Sequence, residues 1–316
     1  MFPYLFKIGA FELRIYSLMY LLAILIALYF IKRRSKSLGL NTEKIENIIL
    51  ISFFGGIIGA RIYYVILRWD FYSIYPYEII AFWHGGLAIH GGIIGGVIAG
   101  YLYGRKHFNF QFLADLILPF LLLGQGIGRF GNFANGEAHG VPTITPPSII
   151  FSLKNRFPEF WDTVKQTLQL PNSHEGMNLL HNLIKSGKEI QITFENKLYI
   201  LKEYVPWGIS FPPKYNPPAY QEFGTLPVHP TFFYEMILNF ICAAILIYLW
   251  RKDNVLGKGI ITGLYLIFYG VIRGFVTTFR ADDLMIGLLR APHIVSIIMV
   301  ILGIYIVKRG AKKSNG

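Results

Sequence analysis

The sequence predicts an all-α polytopic membrane protein with about seven transmembrane helices. Of its 316 residues, 53% are hydrophobic and only 15% are charged, and the mean hydropathy is +0.45. A soluble domain carries about a quarter charged residues, so this deficit indicates a chain that contacts lipid. The net charge of +12 would suggest a nucleic-acid partner for a soluble protein. In a membrane protein the placement of the charges matters more, and we expect no nucleic-acid partner.

Seven apolar segments follow one another along the chain, and most are close to the about 20 residues that a membrane helix needs. They cover residues 15–31, 48–67, 86–104, 112–130, 231–250, 259–279 and 292–307. Basic clusters follow the first, third, fifth and seventh segments, so one side of the membrane collects 14 Lys and Arg residues against 5 in the short connections of the other side. Because basic residues concentrate in cytoplasmic loops, we expect the N-terminus outside and the C-terminus inside.

One connection, residues 141–228, is much longer than the others and has 8 basic against 7 acidic residues. Residues 158–170 and 174–187 have the apolar spacing of short amphipathic helices, and residues 190–201 have the pattern of a β-hairpin. We therefore expect a small outer α/β subdomain. The predicted division of the chain is 1–140 with four membrane helices, 141–228 outside the membrane, and 229–316 with three membrane helices.

The segment GIGRFG, from Gly126 to Gly131, matches the G-x-G-x-x-G spacing of a dinucleotide-binding loop. That loop needs a preceding strand and an acidic residue about 20 positions further on. Here the segment ends an apolar helix and leads into a polar exit, NFANGEAHG, so we reject a nucleotide site. Glycines four residues apart favour close packing of membrane helices instead. They are Gly92, Gly96, Gly100 and Gly104, with the pairs Gly55/Gly59 and Gly124/Gly128.

Polar and ionisable residues fall at the outer ends of the predicted helices. They are Tyr16, Arg61, His90, Arg129, Asn132, Asn135, Glu137, His229, Tyr234, Glu235, Arg273 and Arg280. Singly, each has a structural explanation, such as snorkelling for an arginine, an aromatic belt for Tyr16 or a helix end for the asparagines. Together they predict a cationic cavity open to the outer leaflet, because ionisable groups in a membrane are costly. Arginine suits bidentate phosphate contact, and a lipid head group carries phosphate at that depth.

The stretch GRFGNFANGEAHG, from Gly128 to Gly140, resembles the signature G-R-x-G-N-F-x-N-x-E-x-x-G of the prolipoprotein diacylglyceryl transferase family. Other motifs are similar to those of the family's helices, in order along the membrane part. They are IYSLMY (15–20), GAR (59–61), HGG (90–92), HPTFFYE (229–235), YGVIR (269–273) and FRAD (279–282). Two positions depart from the pattern: Thr277 and His84 stand where the family usually has an acidic residue. If the missing acid at Thr277 normally orients Arg273, then Glu137, Glu235 or Asp282 is its candidate replacement.

The resemblance implies an enzyme of the bacterial cytoplasmic (inner) membrane, with its active site open to the outer leaflet. It would transfer the sn-1,2-diacylglyceryl group from phosphatidylglycerol to the lipobox cysteine of a prolipoprotein signal peptide and release glycerol phosphate, the first step of lipoprotein maturation. The substrate supplies the thiol, which fits a chain whose single cysteine, Cys242, lies in an apolar run. We expect no cofactor and no metal, because no His, Cys or carboxylate cluster has ligand spacing.

The resemblance also implies roles for individual residues. Arg129 and Arg273 would hold the head group and the leaving phosphate, and His90 is the candidate base. Tyr16 and Glu137 complete the catalytic set. The expected substrate-binding residues are Arg129, Asn132, Asn135, Gly140, Arg280, Glu235 and Arg61.

Two other classes of protein compete with this interpretation. A lipid or solute transporter would also use intramembrane arginines, but it predicts inverted repeats and polar residues at the membrane midplane, which the sequence does not display. A membrane scaffold protein would leave the polar residues at the outer helix ends unexplained.

Overall fold

The computed structural model describes residues 3–8, 11–152, 154–280, 285–286 and 289–312. The helices in chain order are α1 (Ile15–Ser37), α2 (Thr42–Leu67), α3 (Trp69–Tyr72), α4 (Ile89–Gly104), α5 (Phe110–Asn135), α6 (Pro147–Ile150), α7 (Phe157–Thr167), α8 (His174–Lys185), α9 (Pro218–Phe223), α10 (Thr231–Trp250), α11 (Ile260–Thr277) and α12 (Ala291–Lys312). Two 3₁₀ turns precede α4, at Pro76–Ile79 and Phe82–His84. Within these residues the strands form three antiparallel pairs: β1 (Tyr4–Ile8) with β2 (Phe11–Arg14), β3 (Ile190–Phe194) with β4 (Lys197–Leu201), and β5 (Met285–Ile286) with β6 (Leu289–Arg290).

Six of the described helices are long and apolar enough to cross a membrane, namely α1, α2, α5, α10, α11 and α12. The chain is therefore a multi-pass membrane protein. Helix α4, the remaining predicted span, has 16 residues, about 24 Å at 1.5 Å per residue, against a hydrocarbon core about 30 Å thick. A seventh crossing and the orientation of the termini stay predictions.

Helices α2 and α4 form a closely packed pair built on glycine. A Cβ atom added at Gly59 would lie 2.8 Å from Cα of Gly95, and one added at Gly95 would lie 2.8 Å from Cα of Gly59. Only residues without a side chain allow backbones to approach this closely. The predicted stripe also contacts α2: a Cβ added at Gly96 would lie 3.0 Å from the carbonyl oxygen of Ser52, and one added at Gly100 would overlap the Ser52 hydroxyl. Glycines one residue before the stripe, such as Gly95, share this packing.

Helix α5 is the centre of a second group, in which it packs against α1, α10 and α11, while α12 packs against α11. Leu116 and Leu246 are completely buried between these helices. The indole N–H of Trp250 donates a hydrogen bond of 3.0 Å to the carbonyl oxygen of Leu116 and joins α10 to α5. Between membrane helices such contacts stabilise by close packing more than by removal of water.

Asp115 on α5 caps the start of α11. Its carboxylate is completely buried and accepts hydrogen bonds from the backbone N–H groups of Gly257 (3.0 Å), Gly259 (2.8 Å) and Thr262 (2.9 Å), and from the Thr262 hydroxyl (2.7 Å). The first N–H groups of a helix have no partner inside the helix, and they favour a negative charge. One side chain of α5 therefore fixes where α11 begins.

Asp115→Ala is expected to lower the free energy of unfolding by about 2–4 kcal/mol, because it leaves several buried donors without an acceptor. Thermal unfolding of the purified protein in detergent measures this. Asp70→Ala, which removes an exposed carboxylate 3.9 Å from Arg68, is the control and should change little. Equal stability of the two variants would contradict the capping role.

The long connection contains the elements that its sequence predicts. The two predicted amphipathic helices are observed as α7 and α8. The predicted hairpin is β3–β4, with Glu195 and Asn196 at φ 47° and 60° in its two-residue turn, as type I′ turns require. Its core includes the fully buried Phe160 and continues into Phe232 at the start of α10. That this segment forms a separate outer subdomain stays a prediction.

Two features of the fold differ from the sequence prediction. The all-α description misses β1–β2, in which Phe6 pairs with Leu13 immediately before α1. The short runs FKI and FEL around Gly9-Ala10 carry a weak hairpin signal. Helix α5 also continues to Asn135 instead of ending near residue 130. The segment NFAN is therefore the end of a helix and not a polar exit, and GIGRFG lies inside that helix.

Candidate active site

The outer end of α5 presents Arg129 and Asn132 on one helix face. They are three residues apart, and Nη1 of Arg129 donates a hydrogen bond of 2.9 Å to Oδ1 of Asn132. The helix ends because Gly136 adopts a left-handed conformation, with φ 68°, the usual helix C-terminal position for glycine. The last turns of the helix, which the sequence predicts as a polar exit, therefore help to orient the arginine.

Arg129 and Arg273 share one buried carboxylate. Glu235, in the first turns of α10, is 2% exposed, its Oε1 pairs with Nη2 of Arg129, and its Oε2 lies 3.8 Å from Nη1 of Arg273. A buried carboxylate needs such partners to offset its lost hydration. The arginine side chains are 19% and 25% exposed, so both remain accessible to an anion. The three groups, here called the arginine cluster, carry a net charge of +1.

Tyrosines border the arginine cluster. The Tyr20 hydroxyl donates a hydrogen bond of 2.8 Å to the Tyr16 hydroxyl on α1. The Tyr16 ring packs directly on Gly131, where a methyl group would overlap it. Tyr16 and Tyr269 both interact electrostatically with Arg129, and Tyr269 also interacts with Arg273, Glu235 and Arg280. Helices α1, α5, α10 and α11 therefore contribute side chains to one site.

Gly140 lies where three chain segments cross. Its N–H donates to the carbonyl oxygen of His229 (2.8 Å), and the next N–H, of Val141, donates to the carbonyl oxygen of Phe279 (2.8 Å). A Cβ at Gly140 would lie 2.7 Å from that Phe279 oxygen and 2.8 Å from Cβ of His229. This glycine joins the exit of α5 to the start of α10 and the end of α11, and the substrate contact that the resemblance implies stays a prediction.

His229 precedes α10 and packs inside this crossing. It is 3% exposed, its ring lies 5.0 Å from that of Phe279, and Nδ1 is 3.2 Å from the Tyr234 hydroxyl. Its Nε2 has no hydrogen-bond partner among the described residues. Burial lowers the pKa of His229 from 6.5 to about 4, because a charged ring would lose its hydration.

The fold should consequently lose stability in acid. The unfolded chain takes up the His229 proton near pH 6.5 and the folded chain only near pH 4, so this stability is present above pH 6.5 and declines as the pH falls towards 4. Between pH 7 and pH 5 the loss should be about 2 kcal/mol. Thermal unfolding at both pH values measures it. His229→Gln should reduce the difference, and the exposed His107→Gln should not. An undiminished acid loss in His229→Gln would assign it to other groups.

Comparison with known proteins shows the family to which this sequence belongs. The family model of prolipoprotein diacylglyceryl transferases matches residues 3–309. The chain belongs to the prolipoprotein diacylglyceryl transferase family. It is therefore an enzyme, a diacylglyceryl transferase of lipoprotein biosynthesis.

Relatives from several bacteria support the membership over the whole chain. A protein of Fusobacterium nucleatum is 37% identical over 98% of this chain and 99% of its own length. One of Clostridium novyi is 33% identical over 99% and 97%, and one of Thermotoga maritima is 33% identical over 95% and 82%. All three are named phosphatidylglycerol–prolipoprotein diacylglyceryl transferase.

In the transferase, Thr277 stands where the resemblance leads one to expect an acid. Thr277 is completely buried, and its carbonyl oxygen accepts from Nη1 of Arg290 (2.5 Å). Arg290 is 1% exposed, and its guanidinium also donates to the Arg280 carbonyl oxygen (3.1 Å) and to Oδ1 of Asn155 (3.0 Å). Of the three candidate partners of Arg273, Glu235 lies beside it, and Asp282 is outside the described residues.

Arg61 of the transferase binds backbone carbonyl oxygens in residues 78–86. Its guanidinium donates to the carbonyl oxygens of Ile79 (3.0 Å), Gly86 (2.9 Å), Ala81 (3.2 Å) and also Glu78, and the residue is 7% exposed. These contacts hold the 3₁₀ turns between α3 and α4. The described contacts of Arg61 are structural, and the substrate contact that the resemblance implies stays a prediction.

His90 lies at the start of α4, exposed, with its ring centre 6.2 Å from that of Tyr63 on α2. The described contacts join it to the α2–α4 pair and not to the arginine cluster. His84, the second departure from the family pattern, has Nδ1 2.9 Å from Oε2 of Glu78. The carboxylate of Glu78, six residues earlier in the chain, therefore lies beside His84.

Asn135 and Glu137 follow Arg129 along the chain. Nδ2 of Asn135 lies 3.5 Å from Oε1 of Glu137, a weak hydrogen bond, and Glu137 is exposed. Among the described residues no group of three or more His, Cys, Asp or Glu side chains is placed to hold a metal ion.

The sequence did not predict Tyr20, Arg290 or Tyr269 as individual site residues. Tyr20 lies four residues after Tyr16, the spacing of one helix face, which is a signal that could have found it. Nothing in the local sequence distinguishes Arg290 from a surface arginine.

Proposed function

We propose that this enzyme transfers the sn-1,2-diacylglyceryl group of phosphatidylglycerol to the lipobox cysteine thiol of a prolipoprotein signal peptide and releases glycerol phosphate. It works in the bacterial inner membrane, with the active site at the outer leaflet. The observation that carries the proposal is the arginine cluster, in which two arginines from different helices converge on one buried carboxylate. The names of the relatives supply both substrates.

The outer-leaflet placement rests on charge. The start of α1, the ends of α5 and α11 and the start of α10 all meet at the cluster. The opposite end of α1 carries Arg34, which pairs with Asp253 at 2.6 Å, and Lys32, which pairs with Glu46 at 2.7 Å. Basic clusters favour the cytoplasmic side, so the arginine cluster faces outward.

The chemistry requires stabilisation of a leaving phosphate. The thiolate sulfur forms a bond to a glycerol carbon, the bond from that carbon to the phosphate oxygen breaks, and a phosphodiester with one negative charge becomes a monoester with up to two. Arg129 and Arg273 supply positive charge where this charge develops. Asn132 and Glu235 hold Arg129 in place before the reaction, so little reorganisation is needed. Tyr16, Asn135 and Glu137 orient the head group, and Arg280 extends the cationic side of the site.

His90 is the proposed acceptor of the thiol proton, because a neutral imidazole nitrogen can accept a proton and this ring is exposed at the start of α4, on the predicted outer side of the membrane. His90→Gln is expected to lower kcat by about 10²-fold and to remove the rise of rate with pH in the neutral range. Rates of lipid transfer to a prolipoprotein peptide between pH 5.5 and 8.5 measure this. A His90→Gln profile equal to that of the wild type would exclude His90 as the base.

Mass spectrometry of a lipobox peptide coexpressed with this chain tests the function. The expected product is the peptide carrying one added diacylglyceryl group on its cysteine, and a peptide with serine in place of that cysteine should remain unmodified. Movement of labelled phosphatidylglycerol between leaflets without a modified peptide would favour a transporter. An unmodified peptide with no lipid movement would refute both activities.

A further inference from the structure

A second polar cavity lies next to the arginine cluster and is not part of it. It has a volume of about 230 Å³, is partly open to solvent, and is lined by the β1–β2 hairpin, the end of α5 and the loop 214–218. The groups that give it chemical character are Arg14, Lys214, Asn135 and Glu137. Asn135 and Glu137 belong to the family signature, whereas the two cations come from the N-terminal hairpin and the long connection.

The loop on one side of this cavity is locked to the end of α5. The N–H of Ala219 donates to the carbonyl oxygen of Gly136 (3.2 Å), and a Cβ at Gly136 would lie 2.6 Å from Cβ of Pro217. Tyr215 and Asn216 adopt φ values of 70° and 43°, which for residues with a side chain cost roughly 1 kcal/mol or more each. A loop held in so costly a conformation at a cavity wall is typical of a binding site.

Each of the two cations at the cavity rests on an aromatic ring that also lines it. The guanidinium carbon of Arg14 lies 5.6 Å from the ring centre of Tyr4, and Nζ of Lys214 lies 5.3 Å from that of Tyr215. Cation–π contacts limit the directions in which these side chains can point. Two positive groups that line one cavity suit a phosphate, and the Asn135 amide and Glu137 carboxylate suit hydroxyl groups.

The cavity and the arginine cluster share one electrostatic neighbour, Tyr20. Tyr20 interacts electrostatically with both Glu137 and Arg129, and its hydroxyl bonds to that of Tyr16. The cavity is smaller than the about 300–1,000 Å³ of pockets for drug-sized ligands. A small phosphorylated polyol fits these limits better than a peptide segment, which would need a longer groove.

We infer that this cavity binds the glycerol phosphate released by the reaction, with its phosphate at Arg14 and Lys214 and its hydroxyls at Asn135 and Glu137. The inference rests on the proposed function, which supplies that product. The cavity takes up the head group after its bond to the glycerol carbon breaks and passes it to the outer aqueous phase, while the diacylglyceryl product stays in the membrane.

Binding of glycerol 1-phosphate to the purified full chain in nanodiscs tests the inference, since it does not depend on turnover. Arg14→Gln with Lys214→Gln should weaken binding by about tenfold, the effect of losing charged phosphate contacts. The exposed Lys188→Gln is the matched control for net charge and should bind as the wild type does. In an Arg129→Ala background the double change should weaken binding by a similar factor, because the cavity is separate from the cluster.

Inhibition of lipid transfer by added glycerol 1-phosphate is the second measurement, and its inhibition constant should rise about tenfold in the same double variant. Equal affinity of wild type and double variant, or an equal loss in Lys188→Gln, would overturn the inference. So would binding of inorganic phosphate as tight as that of glycerol 1-phosphate, or a raised KM for the prolipoprotein peptide with glycerol 1-phosphate binding unchanged, which would identify a peptide site. Failure of the wild type to transfer lipid would count against the proposed function, whereas the binding measurement would still decide about the cavity.

Discussion

Arg129→Ala is expected to lower the rate of diacylglyceryl transfer by about 10⁴-fold, within the range known for arginines that stabilise a departing phosphate. Both terminal nitrogens of Arg129 are already oriented, one towards Asn132 at 2.9 Å and one towards Glu235. The guanidinium is 19% exposed, so little water screens its charge. The substitution removes this charge and leaves Glu235 with a single, more distant cation. Transfer of a labelled diacylglyceryl group to a lipobox peptide measures the rate.

Two further variants separate chemistry from folding. Arg129→Lys keeps the charge but not the planar, forked donor geometry, and we expect it to recover only a small part of the activity. Arg34→Ala removes an arginine paired with Asp253 at the opposite end of α1 and should retain most of the activity. If Arg129→Lys were fully active, a point charge would suffice and bidentate phosphate binding would be wrong. If Arg129→Ala were active and folded, Arg129 would not contact the phosphate at all.

The membrane helices could be predicted closely because each depends mainly on its own composition. A run of apolar residues must satisfy its backbone hydrogen bonds internally when it enters lipid, and a helix does this within one segment. The predicted segment 231–250 has the same bounds as α10. The predicted end of α5 was wrong, because that end depends on side-chain contacts as well as on composition. Asn132 and Asn135 are poor helix formers in isolation, but Asn132 is buried and accepts a hydrogen bond from Arg129 three residues earlier. Burial and this contact within the helix extend it beyond its residue preferences.

The contacts of Gly140 and Arg61 could not be predicted, because their partners are distant in sequence. Gly140 makes room for the Phe279 carbonyl oxygen and the His229 side chain. Arg61 binds carbonyl oxygens 17 to 25 residues further along the chain. Contact of either residue with substrate stays a prediction. A lone residue type does not reveal whether its partner is a ligand or its own backbone. The complete signature is more informative because its Arg, Asn and Glu have fixed spacing.

The partner of Arg273 could not be chosen from the sequence, since Glu137, Glu235 and Asp282 all lie near predicted helix ends. The structure places Oε2 of Glu235 3.8 Å from Arg273, while Thr277 turns its carbonyl oxygen to Arg290. The carboxylate beside Arg273 therefore comes from another helix, α10. Only the packing of α10 between α5 and α11 decides which carboxylate reaches both arginines.

Glu235→Gln is therefore expected to lower kcat by about 10³-fold, because a neutral amide no longer holds two guanidinium groups in one arrangement. The effect should appear in kcat and not as a raised KM, since the substitution changes the net charge of the cluster from +1 to +2 and an anionic lipid still binds. The folded state should also lose about 3–5 kcal/mol, the usual cost of breaking a buried ion pair. Initial rates at varied lipid concentration and thermal unfolding in detergent measure the two effects.

Glu46→Gln is the matched control, because it removes a carboxylate paired with Lys32 at 2.7 Å in a pair that is largely exposed at the other end of the bundle. It should leave kcat near the wild-type value and cost less than about 1 kcal/mol. The outcome that contradicts the orienting role is specific: a folded Glu235→Gln with wild-type kcat and a raised KM would mean that Glu235 contacts the substrate and does not position the arginines. Glu235→Asp, which keeps the charge on a shorter side chain, should recover stability better than activity, since two guanidinium groups require both charge and reach.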